Sequence, residues 1–244
     1  MHTVYRVMHM SKKMIYTFFL LLLCISLTIF HLIAISETVI VSSSEITTFK
    51  PNIVIDAGHG GEDSGATVND EILEKDINLS IALKLRDIFR CNGFDVTLTR
   101  DADFSLTKDA KSNNKKIDLQ NRVKLFNSSP DNIVISIHQN EFSEAKYSGT
   151  QIFYSENNKE NEVFAECIRQ SVVNLLQPDN KRLCKCVDSE IYILKNTNVP
   201  AILIECGFLS NPNEAQKLIN DAYQRELAYS IFLGFIEYYY KNYK

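Results

Sequence analysis

Two histidines and one glutamate stand where a folded chain could bring them together. His59, His138 and Glu205 each follow, within four residues, a run of consecutive apolar side chains. Such runs are typical of strands buried on both faces of a parallel sheet. The carboxyl ends of these strands meet at one edge, which is where open α/β sheets bind ligands. We therefore expect the three side chains to converge.

A fourth polar residue, Glu74, precedes a helix predicted at 75–91 and shares the face of Ile81 and Leu85. A carboxylate on a buried face needs compensation, either from the positive end of the helix or from a cation shared with imidazoles. Two histidines and a carboxylate with an open fourth position are a common ligand set for catalytic zinc. Such an ion lowers the pKa of bound water and polarises a carbonyl oxygen. Glu71 is the alternative carboxylate if the helix begins earlier.

Glu205 is suited to proton transfer because it follows four apolar residues. Apolar surroundings disfavour a charged carboxylate and raise its pKa towards the range in which it can accept and then donate a proton. Taken singly, each of these side chains has a structural alternative: a hydrogen-bonded histidine, or a glutamate that caps a helix or pairs with a cation. Their joint position favours a hydrolytic metal site.

Four of the eight glycines lie close to His59, at Gly58, Gly60, Gly61 and Gly65. They predict a sharply turning backbone with room for a ligand. A nucleotide site is excluded, because no Gly-Lys-Ser/Thr follows and an aspartate replaces the third glycine of Gly-x-Gly-x-x-Gly.

The elements that must position these residues alternate between strand and helix. This pattern predicts an α/β fold: a single domain with a mostly parallel sheet of about six strands flanked by helices. The predicted strands are at 53–55, 95–99, 133–135, 150–154, 191–194 and 201–204. The predicted helices are at 75–91, 118–126 and 161–176, with one or two more within 213–240. Residues 101–116 are polar and aperiodic, and we expect a surface loop there.

The beginning of the chain differs from the rest. Residues 14–35 contain no Asp, Glu, Lys or Arg and follow Arg6, Lys12 and Lys13. That length suffices for a membrane anchor with its basic flank in the cytoplasm. The alternative is a secretory signal cleaved near 34–36. Either way, we expect a protein exported to the outer face of a bacterial membrane. Its predicted segments are a tail with the anchor or signal at 1–36, a linker at 37–50 and a catalytic domain at 51–244.

Composition narrows the function further. The chain has 244 residues, 45% of them apolar, and a formal net charge of −4, so it can bury a core but lacks the basic surface of a nucleic-acid binder. Its six cysteines are scattered, and two of them are separated by a single residue, at Cys184 and Cys186. This spacing does not match a zinc knuckle, so we expect ordinary thiols.

Four segments together resemble a known family. They are IVIDAGHGGEDSGA at 53–66, EKD at 74–76, SIHQN at 136–140 and PAILIECGFLSNP at 200–212. In order and spacing they resemble the zinc-dependent N-acetylmuramoyl-L-alanine amidases, the Amidase_3 family. The resemblance covers essentially all of 51–244. The departures are Gln139, where the family often has a small residue, and a polar insertion at 109–116.

The resemblance implies specific roles. His59, Glu74 and His138 would hold one zinc ion per chain, and Glu205 would be the catalytic carboxylate. The implied reaction is hydrolysis of the amide between the lactyl group of N-acetylmuramic acid and the L-alanine of the stem peptide. The implied partner is peptidoglycan, with contact to the membrane through the amino-terminal segment.

A short anchor with one bare catalytic domain most resembles the sporulation type within the family. Those enzymes remove stem peptides from spore-cortex peptidoglycan ahead of muramic-δ-lactam formation. An accessory envelope protein is a further expected partner. The alternatives are a vegetative autolysin for cell separation, another exported zinc peptidase or deacetylase, and a wall-binding module without activity.

Overall fold

The amino-terminal unit contains one long helix. The computed structural model describes residues 12–42, 50–107, 115–187 and 191–243, and the chain divides into two compact units between Thr47 and Thr48. The first unit contains α1 (Lys12–Ser42). Within the described part of the chain, no helix combines the length and apolar character that crossing a bilayer requires.

The second unit is built on a six-stranded sheet. Its strands are β1 (Asn52–Ala57), β4 (Asp95–Leu98), β5 (Asn132–Asn140), β6 (Gln151–Tyr154), β7 (Lys185–Cys186) and β8 (Ala201–Phe208), in the order β4-β1-β5-β8-β6-β7. The pairs are parallel except β6 with β8, which is antiparallel. A separate hairpin pairs β2 (Thr67–Val68) with β3 (Ile72–Leu73). The predicted α/β class with a mostly parallel sheet is confirmed.

Helices cover both faces of the sheet. They are α2 (Glu74–Cys91), α3 (Lys115–Phe126), α4 (Asn161–Leu175), α5 (Tyr192–Lys195), α6 (Pro212–Leu218) and α7 (Asp221–Tyr243). Alternate residues of β1 enter different cores: Ile53 and Ile55 pack with α2, α4 and α7, whereas Val54 packs with Phe126 and Ile193 on the other face. Burial on both faces explains why the runs 53–55, 133–135 and 201–204 of the central strands are apolar at every position.

The strand predicted at 191–194 is wrong. Residues Tyr192–Lys195 form α5, and the backbone N–H of Lys195 donates to Ile191 O at 3.0 Å. Four apolar residues carry too little periodicity to distinguish one helical turn from a strand. A single turn suffices to bury Ile193 and Leu194 together.

The loop predicted at 101–116 is only partly observed. Residues 101–107 are irregular, 108–114 lie outside the described residues, and the last two belong to α3, which begins at Lys115. The two-residue strands β2, β3 and β7 had no sequence signal, because two residues cannot show a period.

Candidate active site

The carboxyl edge of the three central strands carries the predicted residues. β1 ends at Ala57, two residues before His59, and pairs there with Ile137 of β5. In the next pair of strands, His138 lies directly opposite Glu205. Both β5 and β8 continue beyond these positions, with a shift of register after His138. The sheet therefore brings the two histidines and Glu205 to one edge.

Glu74 lies between the two imidazoles. Its Oε2 is 3.2 Å from His59 Nε2, and its Oε1 is 3.1 Å from His138 Nδ1. One potential ligand atom from each of the three residues lies within 4.8 Å of the others. Glu71, the alternative carboxylate, is exposed and outside this cluster. The reason is that α2 begins at Glu74, which turns this side chain towards the strands.

Hydrogen bonds keep the Glu74 carboxylate ionised. It is 3% exposed and accepts the backbone N–H groups of Ala66 and Gln139, each at 2.9 Å. Burial raises its pKa, but hydrogen bonds to His138 and His59 outweigh burial and hold the pKa well below its usual range. Burial has the opposite effect on His59, whose pKa it lowers. The contacts of His59 with Asp63 and Glu74 outweigh burial and raise its pKa to about 9. Glu74 is therefore the negatively charged residue of the cluster.

Glycine is required at two positions beside the cluster. A β-carbon on Gly58 would lie 2.3 Å from the imidazole of His138, and one on Gly65 would lie 2.4 Å from Glu74 Oε2. Gly65 has a φ of +66°, which disfavours other residues independently. The glycines near His59 therefore make room for protein side chains.

Two buried arginines hold the backbone that carries His59. Arg122 donates to Ala57 O at 2.9 Å and to His59 O at 2.7 Å. Arg100 donates to Ala57 O at 2.9 Å and to Gly58 O at 3.0 Å. Three consecutive carbonyls are thereby fixed while His59 adopts a φ of +61°. Neither arginine was predicted as a site residue.

The charge of Arg122 is balanced by aspartates. It pairs with the fully buried Asp56 and, at 2.6 Å through Nε, with Asp118. Asp63, also missed, places its Oδ2 2.9 Å from His59 Nδ1. Asp56 and Asp63 lie within the segment 53–66, but the sequence of that segment does not show which side chains they contact.

Glu205 differs from Glu74 in its surroundings. Its Oε2 is inaccessible and has no hydrogen-bond partner. Burial and, to a lesser extent, the negative charge of Glu74 raise the pKa of Glu205 to about 7, although the charges of His138 and His59 oppose this. A carboxyl group with such a pKa can exchange a proton near neutral pH.

The three clustered residues fit a zinc ion. Ligands about 2.0–2.1 Å from a tetrahedral zinc are about 3.3 Å apart. One ligand atom from each residue lies within 4.8 Å of the others, and the two carboxylate–imidazole separations, each to a different Glu74 oxygen, are 3.2 and 3.1 Å. The site contains no thiolate, since burial raises the pKa of the neighbouring Cys206 well above its usual value. All six cysteines are free.

Comparison with known proteins identifies the family. The family model described as N-acetylmuramoyl-L-alanine amidase, Amidase_3, matches residues 53–237. The chain belongs to this family. The amidase is 40% identical over 190 residues to the germination-specific N-acetylmuramoyl-L-alanine amidase of Bacillus subtilis, covering 77% of this chain and 79% of the relative. This membership decides against the peptidase and deacetylase alternatives.

Solved structures agree with the assignment. The CwlD amidase from Clostridioides difficile, solved in complex with the GerS lipoprotein, matches the amidase with a TM-score of 0.75 and 39% identity, covering 79% of this chain and 100% of that one. An N-acetylmuramoyl-L-alanine amidase from Clostridium difficile 630 matches with a TM-score of 0.69 and 30% identity, covering 80% and 100%.

Proposed function

We propose that this amidase cleaves the bond between N-acetylmuramic acid and the L-alanine of the stem peptide, using zinc held by His59, Glu74 and His138. The observation that carries the proposal is the convergence of these three side chains beside Glu205 in a chain of this family. A bound zinc ion would supply Lewis acidity to the amide carbonyl and lower the pKa of water.

In the proposed reaction, Glu74 and Glu205 have different roles. Glu74 contributes the negative charge that favours a cation, and Ala66 and Gln139 fix its oxygens through their backbone N–H groups. Glu205 accepts a proton from the attacking water and returns it to the leaving nitrogen. Its unpaired Oε2 and its pKa of about 7 support both steps.

We also propose a role on spore-cortex peptidoglycan, acting before muramic-δ-lactam forms. The similarity to a germination-specific amidase supports it. We place the enzyme outside the cytoplasm, because its substrate is there. An accessory envelope protein is a proposed partner, by analogy with the lipoprotein bound to the CwlD amidase. Membrane attachment through residues 14–35 and the segment boundaries at 36 and 50 stay predictions.

Product analysis tests the reaction. The purified full-length protein is incubated with isolated peptidoglycan, with and without a chelator, and the fragments are analysed by mass spectrometry. We expect new L-alanine amino termini, muramic acid without peptide and retained acetyl groups. Chelation should stop the reaction and added zinc should restore it. Cleavage within the peptide, or turnover that chelators leave unchanged, would contradict the proposal.

A deletion strain tests the biological role. Without this gene, the host's spores should contain cortex lacking muramic-δ-lactam, measured by muropeptide analysis. Normal cortex together with chains of unseparated vegetative cells would instead identify an autolysin.

A further inference from the structure

A second concave surface adjoins the active site. It is a cleft of about 680 Å³, which we name the basic cleft. The cationic residues that line it are Lys146, Lys181, Arg182 and Lys217. It lies where the chain enters β6 and where β8 ends.

The register of the sheet places this cleft next to Glu205. Gln151, the first residue of β6, is the antiparallel partner of Glu205. Thr150 donates through its hydroxyl to Cys206 O at 2.8 Å, and Gly149 lines the cleft. The lining of the basic cleft therefore comes within two residues of the strand partner of Glu205.

The cleft carries an excess of positive charge. Its two acidic residues are Asp179 and Glu214. Glu214 keeps its negative charge, and its carboxylate accepts the backbone N–H groups of Gly149 and Phe208 at 2.9 Å each. Lys146 pairs with Glu144, which lies outside the lining. The other three cations, Lys181, Arg182 and Lys217, still outnumber the two acidic residues. The whole chain, in contrast, has a net charge of −4.

Arg182 is held in a fixed orientation. Its Nε donates to Ser148 O at 2.7 Å and its Nη1 to Gln151 Oε1 at 3.1 Å. The guanidinium carbon lies 4.4 Å from the centre of the Phe208 ring, a distance at which a cation is attracted to the ring face. Within the described residues, the rest of the guanidinium has no partner, and neither Arg182, Lys181 nor Lys217 forms an ion pair. A planar fork with free N–H groups suits a carboxylate.

The substrate of the proposed reaction has an anionic side and a neutral side. Its peptide carries carboxylates, whereas its acetylated sugars carry none. Another cleft, which has Glu71 and Glu141 in its lining, has no cationic residue among the residues that line it. The charges that line the two clefts therefore favour the basic cleft as the place where the peptide lies.

We propose that the basic cleft binds the carboxylate-bearing stem peptide, with Arg182 as the residue that recognises a peptide carboxylate. This inference rests on the proposed amidase function and adds the orientation of its substrate. Lys181 and Lys217 supply further positive charge at the opening.

Paired substrates test this inference with the zinc-loaded full-length enzyme. One N-acetylmuramoyl peptide keeps its free carboxylates, and the other has them converted to carboxamides. Wild type should cleave the first with a kcat/KM about tenfold to a hundredfold higher, as expected for a charge-assisted hydrogen bond, mainly through KM. Arg182→Gln should reduce this preference to about twofold, since the neutral substrate loses no charged contact. Lys217→Gln should reduce it less, and Lys195→Gln, an exposed cation outside the cleft, should leave it unchanged.

The outcomes separate the two proposals. If neither substrate is cleaved, the proposed function fails and this inference fails with it. If wild type cleaves both substrates equally, the amidase function stands but the recognition of peptide carboxylates is refuted. The basic cleft would then bind a different anion, such as an acidic segment of a partner protein. If Arg182→Gln slows both substrates by the same factor, Arg182 acts only by supporting Gln151, and the recognition role is refuted.

Discussion

Gly58 and His138, eighty residues apart in sequence, are in direct contact: the imidazole occupies the space that a side chain at Gly58 would need. One glycine thus sets where one of the three clustered side chains lies. This contact joins the loop after β1 to the neighbouring strand β5.

Gly58→Ala is therefore expected to displace His138 and weaken zinc binding by about 10–100-fold, the usual effect of disturbing a ligand's support. Titration of the metal-free protein with zinc measures this. Gly207→Ala is the control, because its new methyl would meet only the ends of two side chains, Leu218 at 3.1 Å and Glu214 at 3.2 Å. Equal zinc affinity in Gly58→Ala and wild type would show that the ring can move without consequence.

Glu74→Gln is expected to lose zinc, whereas Glu71→Gln is expected to keep it. The carboxylate of Glu74 faces both imidazoles, while Glu71 is exposed. Elemental analysis of the purified variants gives the zinc content per chain. A zinc content that falls only in Glu71→Gln would reverse the assignment.

Glu205→Gln should bind zinc and peptidoglycan as wild type does, but turnover should drop by about 10²–10⁴-fold, the usual contribution of a general acid–base group. The amide keeps the size of the side chain and cannot exchange the proton. Turnover on a soluble muropeptide and zinc content are measured on the same preparation. Activity close to wild type removes Glu205 from the mechanism.

Arg122→Ala should lower the free energy of unfolding by about 3–5 kcal/mol, because it leaves the fully buried Asp56 without its counter-ion. Urea unfolding of the metal-free protein measures this. Arg225→Ala removes an exposed arginine that pairs with Asp221 and should leave stability unchanged. A similarly small loss of unfolding free energy in both variants would contradict this, because it would show that water or a rearrangement of the side chains compensates the buried charge of Asp56.

Acid should destabilise the metal-free protein partly through Asp56. Burial raises the pKa of Asp56, but the charge of Arg122 outweighs it and lowers the pKa below the ordinary value. The unfolded chain, with an aspartate pKa of about 3.9, then binds more protons than the folded one. This contribution is present above that pH and is lost as the pH falls towards the folded-state pKa. The difference in the free energy of urea unfolding between wild type and Asp56→Asn should therefore shrink as the pH falls, and a difference that stays constant would contradict this prediction.

The convergence of the site could be predicted from sequence because it depends on few facts. Three runs of buried strand, each followed by a polar residue, define an edge, and parallel pairing brings their ends together. Helix periodicity favoured Glu74 but left Glu71 as an alternative, and the resemblance to the family indicated Glu74. No pattern in a single sequence shows that Arg122 contacts Asp56, because a pairing across 66 residues depends on the folded distance between α3 and β1.

The lengths of the strands were harder to predict than their positions in the sequence. His138 and Glu205 were expected after their strands, yet both lie inside β5 and β8. The apolar pattern ends where a strand meets the polar site, although the backbone pairing continues. The basic cleft was also missed, since three of its cations lie in loops and the fourth, Lys217, lies at the end of α6, and together they form no sequence motif.

The hairpin of β2 and β3 has a consequence for how this protein can vary. The segment between His59 and Glu74 is tied at its base, where Glu74 N–H donates to Ala66 O at 2.9 Å and Lys75 N–H to Ser64 O at 3.0 Å. Its tip, Asn69 and Asp70, carries two positive φ angles and no contact with the cluster. Insertions at that tip are therefore expected to leave the arrangement of His59, Glu74 and His138 unchanged, which makes the tip a suitable place to engineer new specificity.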